Sequence, residues 1–477
     1  MSMVSSGHSL ASWGGPADMS AWEAVMWRAE GDHRTRSAGV VVEILEAEPE
    51  WGRLVAAHDR WIQRIPRLRE RVVAPSLPVV TPAWSPDPHF DLDYHLQHVR
   101  LPEGAALDDL YAIVSVLAAR PLDVQRPPWE AMLVGGLPEG RAAYLFKGHH
   151  SLTDGLGMMQ LIDATHGHGP ETGEVYPLST PPPNRTESPS GLLVRRLLSH
   201  TAGTPAGLVR RAVRVAARLA ADPVETLTDA VRFGNSLRRM LTPSGAERSP
   251  ILRDGGTAYR FTTVEVPLAG LKSAARAADG SVNDAFLAAL LGGMRRYHET
   301  RDIRLEHLPM AIPMSLRTAD DPLGGNRFAA AQFAAPVGEA DPRKRVAAIH
   351  RFVADARTEP ALGFVDLIAP LLSVLPGRAL TQIAAQLTAA NDLQASNLGG
   401  VARTLYLAGA KVSRLYVVGP RPGVAAMVTM LSYEGTCCVG VNFDPDVITD
   451  VSVFSRCLHE GFDEVLDLAG EHTIRRT

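Results

Sequence analysis

Cysteine is scarce in this chain. Cys437, Cys438 and Cys457 are the three among 477 residues. Three thiols cannot form a disulfide framework, so a reducing, cytoplasmic compartment is expected. Cys437 and Cys438 lie in an apolar, strand-like run and read as core thiols. An excess of one charge is also missing: 48 Lys and Arg stand against 52 Asp and Glu, a formal net charge of −4. That balance argues against a dedicated nucleic-acid binder. Residues 1–20 lack a basic start followed by an apolar run, so no secretory signal is expected. Long apolar runs are missing too. The best candidate, Phe364 to Leu375, contains Asp366 and Pro370 and stops at Pro376-Gly377. A membrane span needs about 20 uninterrupted apolar residues. The expectation is a soluble protein, or one lying on a membrane surface without crossing it. Neither a βαβ nucleotide-binding fingerprint nor a P-loop is present, and no Ser or Cys nucleophile motif stands out.

What is present is a short stretch rich in chemistry: His149-His150-Ser151-Leu152-Thr153-Asp154-Gly155. An apolar run from Ala142 leads into it. Gly155 to Ile162 then reads as a helix start, with Asp154 as its cap. Side chains alternate faces along a strand, so the two rings diverge and at most one enters a given site. His150 shares a face with Phe146 and Gly148, and the glycine leaves space beside its ring. Histidine suits general-base work because its reference pKa, about 6.5, lies near neutrality. An isolated histidine is more often structural than catalytic, so His149 reads as a wall or packing residue before a catalyst. Asp154 is either a proton-handling carboxylate or a structural one that caps the helix or pairs with an arginine.

A metal site is the rival chemistry. His149, His150, Asp154, Asp163, His166 and His168 fall close together. Their spacing lacks a Cys pair or the two-histidine helical motif of zinc proteases, so no metal is expected.

The length exceeds the size at which one core keeps growing, so two domains are expected. Residues 1–15 are small and polar and read as a disordered start. Residues 16–185 form a first lobe carrying the histidine motif. Trp51 to Ile65 and Leu107 to Leu117 read as helices, and Tyr94 to Leu101 and Glu130 to Val134 as strands. Residues 186–256 read as a helical basic linker. Arg195, Arg196, Arg210, Arg211, Arg214 and Arg218 occur between Gly191 and Ala221 without an acidic residue. A basic amphipathic helix of this kind can lie on an anionic membrane; the alternative is a solvated face of a helix packed on the body. Residues 257–477 form a second lobe. Its strands are Phe261 to Val266, Leu308 to Pro313, Leu415 to Val418, Val424 to Leu431 and Cys437 to Phe443. Leu268 to Ala278, Val282 to Tyr297 and Asp446 to Leu468 read as helices, and Gly324 to Ala335 as an irregular extended stretch.

The His149-His150-x-x-x-Asp154-Gly155 pattern resembles the active-site motif of CoA-dependent acyltransferases of the chloramphenicol acetyltransferase and condensation-domain type. Other segments are similar to the bacterial wax ester synthase/diacylglycerol acyltransferase family. They are Pro121-Leu122-Asp123 through Trp129, Phe90 to Leu96 with Pro66 to Arg69 upstream, Val282-Asn283-Asp284, Pro313 to Arg317, Gly325-Asn326 and Ser396-Asn397. The chain departs from the family pattern at Pro128 and at Leu398-Gly399-Gly400.

The resemblance implies an α/β (α+β sandwich) fold of two chloramphenicol-acetyltransferase-like lobes with an interfacial active-site tunnel. It implies an acyl-CoA-dependent O-acyltransferase that makes triacylglycerol or wax esters from diacylglycerol or a long-chain alcohol. His150 would be the general base and Asp154 a structural support, held through an arginine such as Arg317. Gly155, Trp129, Asn283, Asp284, Ser396 and Asn397 would contact substrate, although Asn283 and Asp284 read equally as a helix cap. Acyl-CoA is a substrate, and no cofactor is implied. The expected location is cytoplasmic, with peripheral attachment to the inner membrane face or lipid inclusions through Arg195 to Arg218. Two other readings stand beside this one: a condensation-type enzyme acting on an amine or non-lipid hydroxyl, and a non-catalytic lipid-binding protein.

Overall fold

A computed structural model describes residues 10–75, 81–170, 187–192, 194, 244–317, 323–326, 328–357, 375, 377–388 and 390–470. The basic stretch Arg195 to Arg218 lies outside the described residues, as does nearly all of the apolar segment Phe364 to Leu375.

The described strands are β1 (Ala38–Leu45), β2 (Glu70–Val73), β3 (Ala83–Pro86), β4 (Leu96–Arg100), β5 (Trp129–Gly135), β6 (Ala142–His149), β7 (Arg260–Pro267), β8 (Leu308–Ser315), β9 (Phe328–Ala335), β10 (Leu393–Asn397), β11 (Tyr406–Leu407), β12 (Ala410–Val418), β13 (Ala426–Tyr433) and β14 (Thr436–Phe443). The α-helices are α1 (Ala21–Ala29), α2 (Trp51–Arg64), α3 (Leu92–His95), α4 (Leu107–Ala119), α5 (Gly155–Thr165), α6 (Leu268–Ala277), α7 (Val282–Glu299), α8 (Pro342–Arg357), α9 (Gly377–Thr388) and α10 (Val451–Leu466).

Two six-stranded sheets organise these elements. The first runs β11-β12-β1-β6-β5-β4 and the second β7-β14-β13-β10-β8-β9, with β2-β3 as a separate pair. The lobes are not separate in sequence. β12 comes from the C-terminal part of the chain but pairs antiparallel with β1, from Val40 opposite Val418 to Leu45 opposite Val412. A strand edge is thereby covered, and the second lobe is tied to the sheet that carries the histidines. Adjacent cysteines mark the junction: Cys438 packs into the first core and Cys437 into the second. Successive strand residues face opposite ways, so β14 presents one thiol to each. Burial pushes Cys437 up to about 11 and Cys438 up to about 12, which makes both inert as nucleophiles at neutral pH.

Local signals explain the helices near the site. Glu50 caps α2 by accepting from Gly52 N at 2.7 Å and Arg53 N at 2.9 Å. Leu54, Ala57, His58, Trp61 and Ile62 form its buried stripe, and Pro66 follows its end. α7 starts with a full capping box between Ser281 and Asp284.

Three expectations change. Order begins within residues 1–15: Leu10–Ser12 is a 3-10 turn and Trp13 is buried at 2% exposure. Gly14 N donates to Leu323 O at 2.8 Å, so packing on the second lobe overrides a small, polar composition. Tyr94 to Leu101 is not one strand, because Asp91 caps the helical turn α3 and β4 starts at Leu96. The stretch Gly324 to Ala335 is irregular only at its start. Phe328–Ala335 pairs residue for residue with β8, so a ladder partner supplies what an alanine-rich sequence does not propose.

Candidate active site at the junction of the two lobes

β6 places the motif. It lies between β1 and β5 in the sheet, and all eight of its residues are buried. Ala38 stands opposite His149, and His150 N donates to Ser37 O at 2.8 Å just past the strand end. The chain then turns, and Asp154 caps α5 through Oδ1, which accepts from Gly157 N at 2.9 Å.

The two histidines part as strand alternation requires. His149 is 1% exposed. Its Nδ1 accepts from Ser151 N at 3.0 Å, which leaves Nε2–H to donate to Glu30 Oε2 at 3.0 Å. Trp27 meets the ring edge-on at 5.1 Å. His150 keeps part of its surface exposed. Its Nδ1 lies 3.3 Å from Asn326 Oδ1, and Asn326 Nδ2 donates to the His150 carbonyl oxygen. Burial pushes the His150 pKa below its ordinary value; the Asn326 bond and the Asp154 charge oppose the shift, and His149 adds to it. A neutral ring at pH 7 can accept a proton.

Gly148 does not leave open space. A Cβ there would touch Phe146 at 3.4 Å and Met158 at 3.5 Å. The six grouped metal-ligand types also separate. His166 pairs with Glu43 at 2.8 Å, Asp163 with Arg403 at 2.6 Å, and His149 with Glu30. Among the described residues, no group of three or more His, Cys, Asp or Glu could hold a metal ion.

A loop of the second lobe closes on the motif. Asp154 N donates to Gly325 O at 2.9 Å, and Thr153 forms a bridge with Gly325. Gln160 of α5 accepts from Gly324 N at 3.1 Å. Arg317 Nε stands 3.5 Å from Asp154 Oδ2, with both side chains 6–7% exposed. Gly157 lets the backbones approach, because a Cβ there would come within 2.9 Å of Gly324 Cα. Gly155 meets the end of β10, where a Cβ would stand 2.5 Å from Leu398 Cδ2. Ser396 and Asn397 precede that leucine on β10, opposite Thr429 and Met430 of β13. Leu398, one of the departures from the family pattern, thus fills the surface over Gly155.

Other candidates lie elsewhere. The Trp129 ring is enclosed at 1% exposure, stacked on His95 at 4.6 Å and Phe146 at 5.6 Å. Its Nε1 donates to Leu68 O at 2.7 Å. It packs as a core residue. Asp284 accepts from Ser281 N at 2.8 Å and from the His350 ring at 2.8 Å, which serves the start of α7. Asn283 sits beside it in the first helical turn. Sequence reading assigned no role to Asn326, whose contact spans 176 positions. The resemblance marked it together with Gly325, but no local spacing connects it with His150.

A two-lobed acyltransferase fold is what the architecture defines. The first condensation domain of the CDA synthetase superposes with a TM-score of 0.55 at 16% identity, covering 94% of this chain and 96% of that one. The wax ester synthase/diacylglycerol acyltransferase from Marinobacter aquaeolei VT8 gives 0.63 at 19% identity, covering 95% and 100%.

Sequence comparison carries the assignment further. The wax ester synthase/diacylglycerol acyltransferase catalytic domain matches residues 19–286, and the WS/DGAT C-terminal domain matches residues 324–465. A protein of Mycobacterium tuberculosis (strain ATCC 25618 / H37Rv) named "Putative diacyglycerol O-acyltransferase" is 38% identical over 468 residues, spanning 96% of this chain and 92% of that one. The chain belongs to the wax ester synthase/diacylglycerol acyltransferase family.

Proposed function

We infer that the protein is an acyl-CoA-dependent O-acyltransferase that esterifies a lipid hydroxyl, with His150 as general base. The single observation that carries the reading is the placement of His150. In a chain of this family, the ring is partly exposed, buried enough to stay neutral, and set where the two lobes meet.

The chemistry needs no covalent acyl-enzyme. His150 accepts the hydroxyl proton of diacylglycerol or a long-chain alcohol as its oxygen attacks the thioester carbonyl. The tetrahedral intermediate collapses with loss of CoA thiolate, which takes the proton back from the imidazolium. Ester and free CoA leave, and no cofactor enters the balance. Proton transfer of this kind supplies about 10²- to 10⁴-fold, and holding both substrates supplies the rest. Asp154 acts as a brace: one carboxylate oxygen caps α5 and the other faces Arg317. Substrates would approach His150 through a tunnel between the lobes, with CoA at one mouth and the acceptor at the other.

Among the described residues, no helix is long and apolar enough to cross a membrane. A cytoplasmic enzyme that meets its acceptor at a lipid surface would use the arginines from Arg195 to Arg218 for attachment. Flotation with anionic vesicles tests this; full activity on dispersed lipid without flotation would remove it.

The test of function is purified protein with labelled palmitoyl-CoA and a panel of dioleoylglycerol, hexadecanol and an alkyl amine, with products separated by thin-layer chromatography. Labelled triacylglycerol or wax ester is expected. Amide alone would move the protein to the condensation-type reading, and no product with any acceptor would leave only lipid binding.

A further inference from the structure

A base must present a lone pair, and imidazole has two nitrogens on which to carry it. Which nitrogen is protonated is set by the hydrogen bond the other one makes. Asn326 touches residue 150 twice. Its Nδ2 donates to the His150 carbonyl oxygen, and its Oδ1 faces Nδ1 at 3.3 Å. A carbonyl oxygen only accepts, so the NH₂ group must be the one turned toward it. Flipping the amide would set oxygen against oxygen. That choice points Oδ1 at Nδ1, and an oxygen acceptor there requires Nδ1 to carry the proton. The lone pair then falls on Nε2.

The loop holding Asn326 is fixed from several sides. Asn326 is 7% exposed. Gly324 and Gly325 turn the chain at φ 72° and 75°, a region that favours glycine. Leu323 O accepts from Gly14 N, Gly324 N donates to Gln160, and Gly325 O accepts from Asp154 N. These partners come from the N-terminal segment and from α5 with its cap. Asn326 therefore meets His150 in a defined geometry only while the two lobes are docked.

We propose that Asn326 is a positioning residue that selects the Nδ1–H tautomer of His150 and presents Nε2 as the basic nitrogen. The proposal rests on reading His150 as the base. Among the described residues, the groups around His150 come from α5, from its own strand and from the second lobe. Asp154 approaches from the start of α5 with Arg317 beside it, His149 precedes it with Glu30 behind, and Asn326 reaches over from the second lobe.

The experiment is the pH profile of kcat/KM and the separate kcat and KM of the full-length enzyme, with palmitoyl-CoA and dioleoylglycerol. Folded fraction is fixed by circular dichroism. Asn326→Ala removes the acceptor, so kcat should fall about 10- to 100-fold with KM for either substrate within about twofold. Its acidic limb moves to lower pH, because the bond lost is one that favours the charged ring. Asn326→Asp keeps an acceptor at Nδ1 and adds a negative charge, and like Asn326→Ala it loses the donor to the His150 carbonyl oxygen. Its acidic limb should move up by about one unit, with more of kcat retained above that limb than in Asn326→Ala. A purely structural asparagine would lower activity without moving the two limbs in opposite directions. An Asn326→Ala enzyme at wild-type kcat overturns the proposal, as does an Asn326→Asp limb at the wild-type pH. His150→Ala in the same series separates the failures. If it is inactive while either overturning result appears, only the role of Asn326 falls; if it is active, the base itself is wrong.

Discussion

His149 and His150 are neighbours in sequence and opposites in surroundings. His149 ends a strand and is locked inside its own lobe by Ser151, Glu30 and Trp27. His150 begins a turn, keeps part of its surface exposed, and is held by Asn326 of the other lobe. One peptide bond separates a ring enclosed by the core from a ring aimed at the junction. The pair thus divides: the first position anchors the strand end, and the second is the one the proposed chemistry uses at the junction of the lobes.

That contrast can be broken by substitution. The largest effect expected is His150→Ala, with turnover lowered about 10²- to 10⁴-fold and a melting temperature close to wild type. An unfolded His150→Ala protein would make the two histidines equally structural. Next is Asp154→Ala. It removes a cap and leaves the nearly buried Arg317 without this carboxylate, so a loss of about 3 kcal/mol is expected in urea unfolding. A loss under about 1 kcal/mol would reduce Asp154 to an ordinary cap. His149→Ala should cost about 2 kcal/mol, because Glu30 keeps a buried carboxylate with one fewer donor. Its turnover per folded molecule should stay within about tenfold of wild type.

A pH effect of similar size comes from the first core. Burial brings His58 down to about 4; its Nδ1 is bonded to Leu54 O, and its Nε2 to the Tyr144 hydroxyl. The unfolded chain takes up a proton below its ordinary value of 6.5, while the folded one does not until about 4. This contribution is complete above the unfolded value and is lost as pH falls toward the folded one. The expected loss is about 2 kcal/mol between pH 6.5 and 5, read from urea midpoints. A His58→Gln protein with the same slope would assign the effect elsewhere. The smallest change expected is Asp284→Ala: about 1 kcal/mol from the lost capping box, with kcat/KM per folded molecule unaltered. A selective fall in kcat would return Asp284 to the reaction.

The same contrast explains what the sequence shows and what it hides. His149, with its alternation, and Asp154, with its cap, are local features, and both are legible from a few residues on either side. The long helices α2, α4 and α7 and the second-lobe strands carry periodic apolar patterns and short-range caps. Strand β1 was not singled out, although it lies centrally in its sheet between β12 and β6. Its continuous apolar run Val40-Val41-Val42 has no alternation to announce a strand. β9 is alanine-rich and becomes a strand only because β8 pairs with it. Trp129 stood in a segment the family resemblance marked, yet its surroundings are core. Asn326 shows the limit most plainly, since neither its bond to His150 nor the anchoring of Leu323 by Gly14 and of Gly324 by Gln160 leaves a trace in nearby sequence.

The central claim is tested most directly by one measurement on folded protein: the rate of labelled ester formation from palmitoyl-CoA and dioleoylglycerol by His150→Ala and His149→Ala, each normalised to folded enzyme. A fall of at least about 100-fold is expected for His150→Ala, and a rate within about tenfold of wild type for His149→Ala. Equal losses at both positions, or an active His150→Ala enzyme, would contradict it.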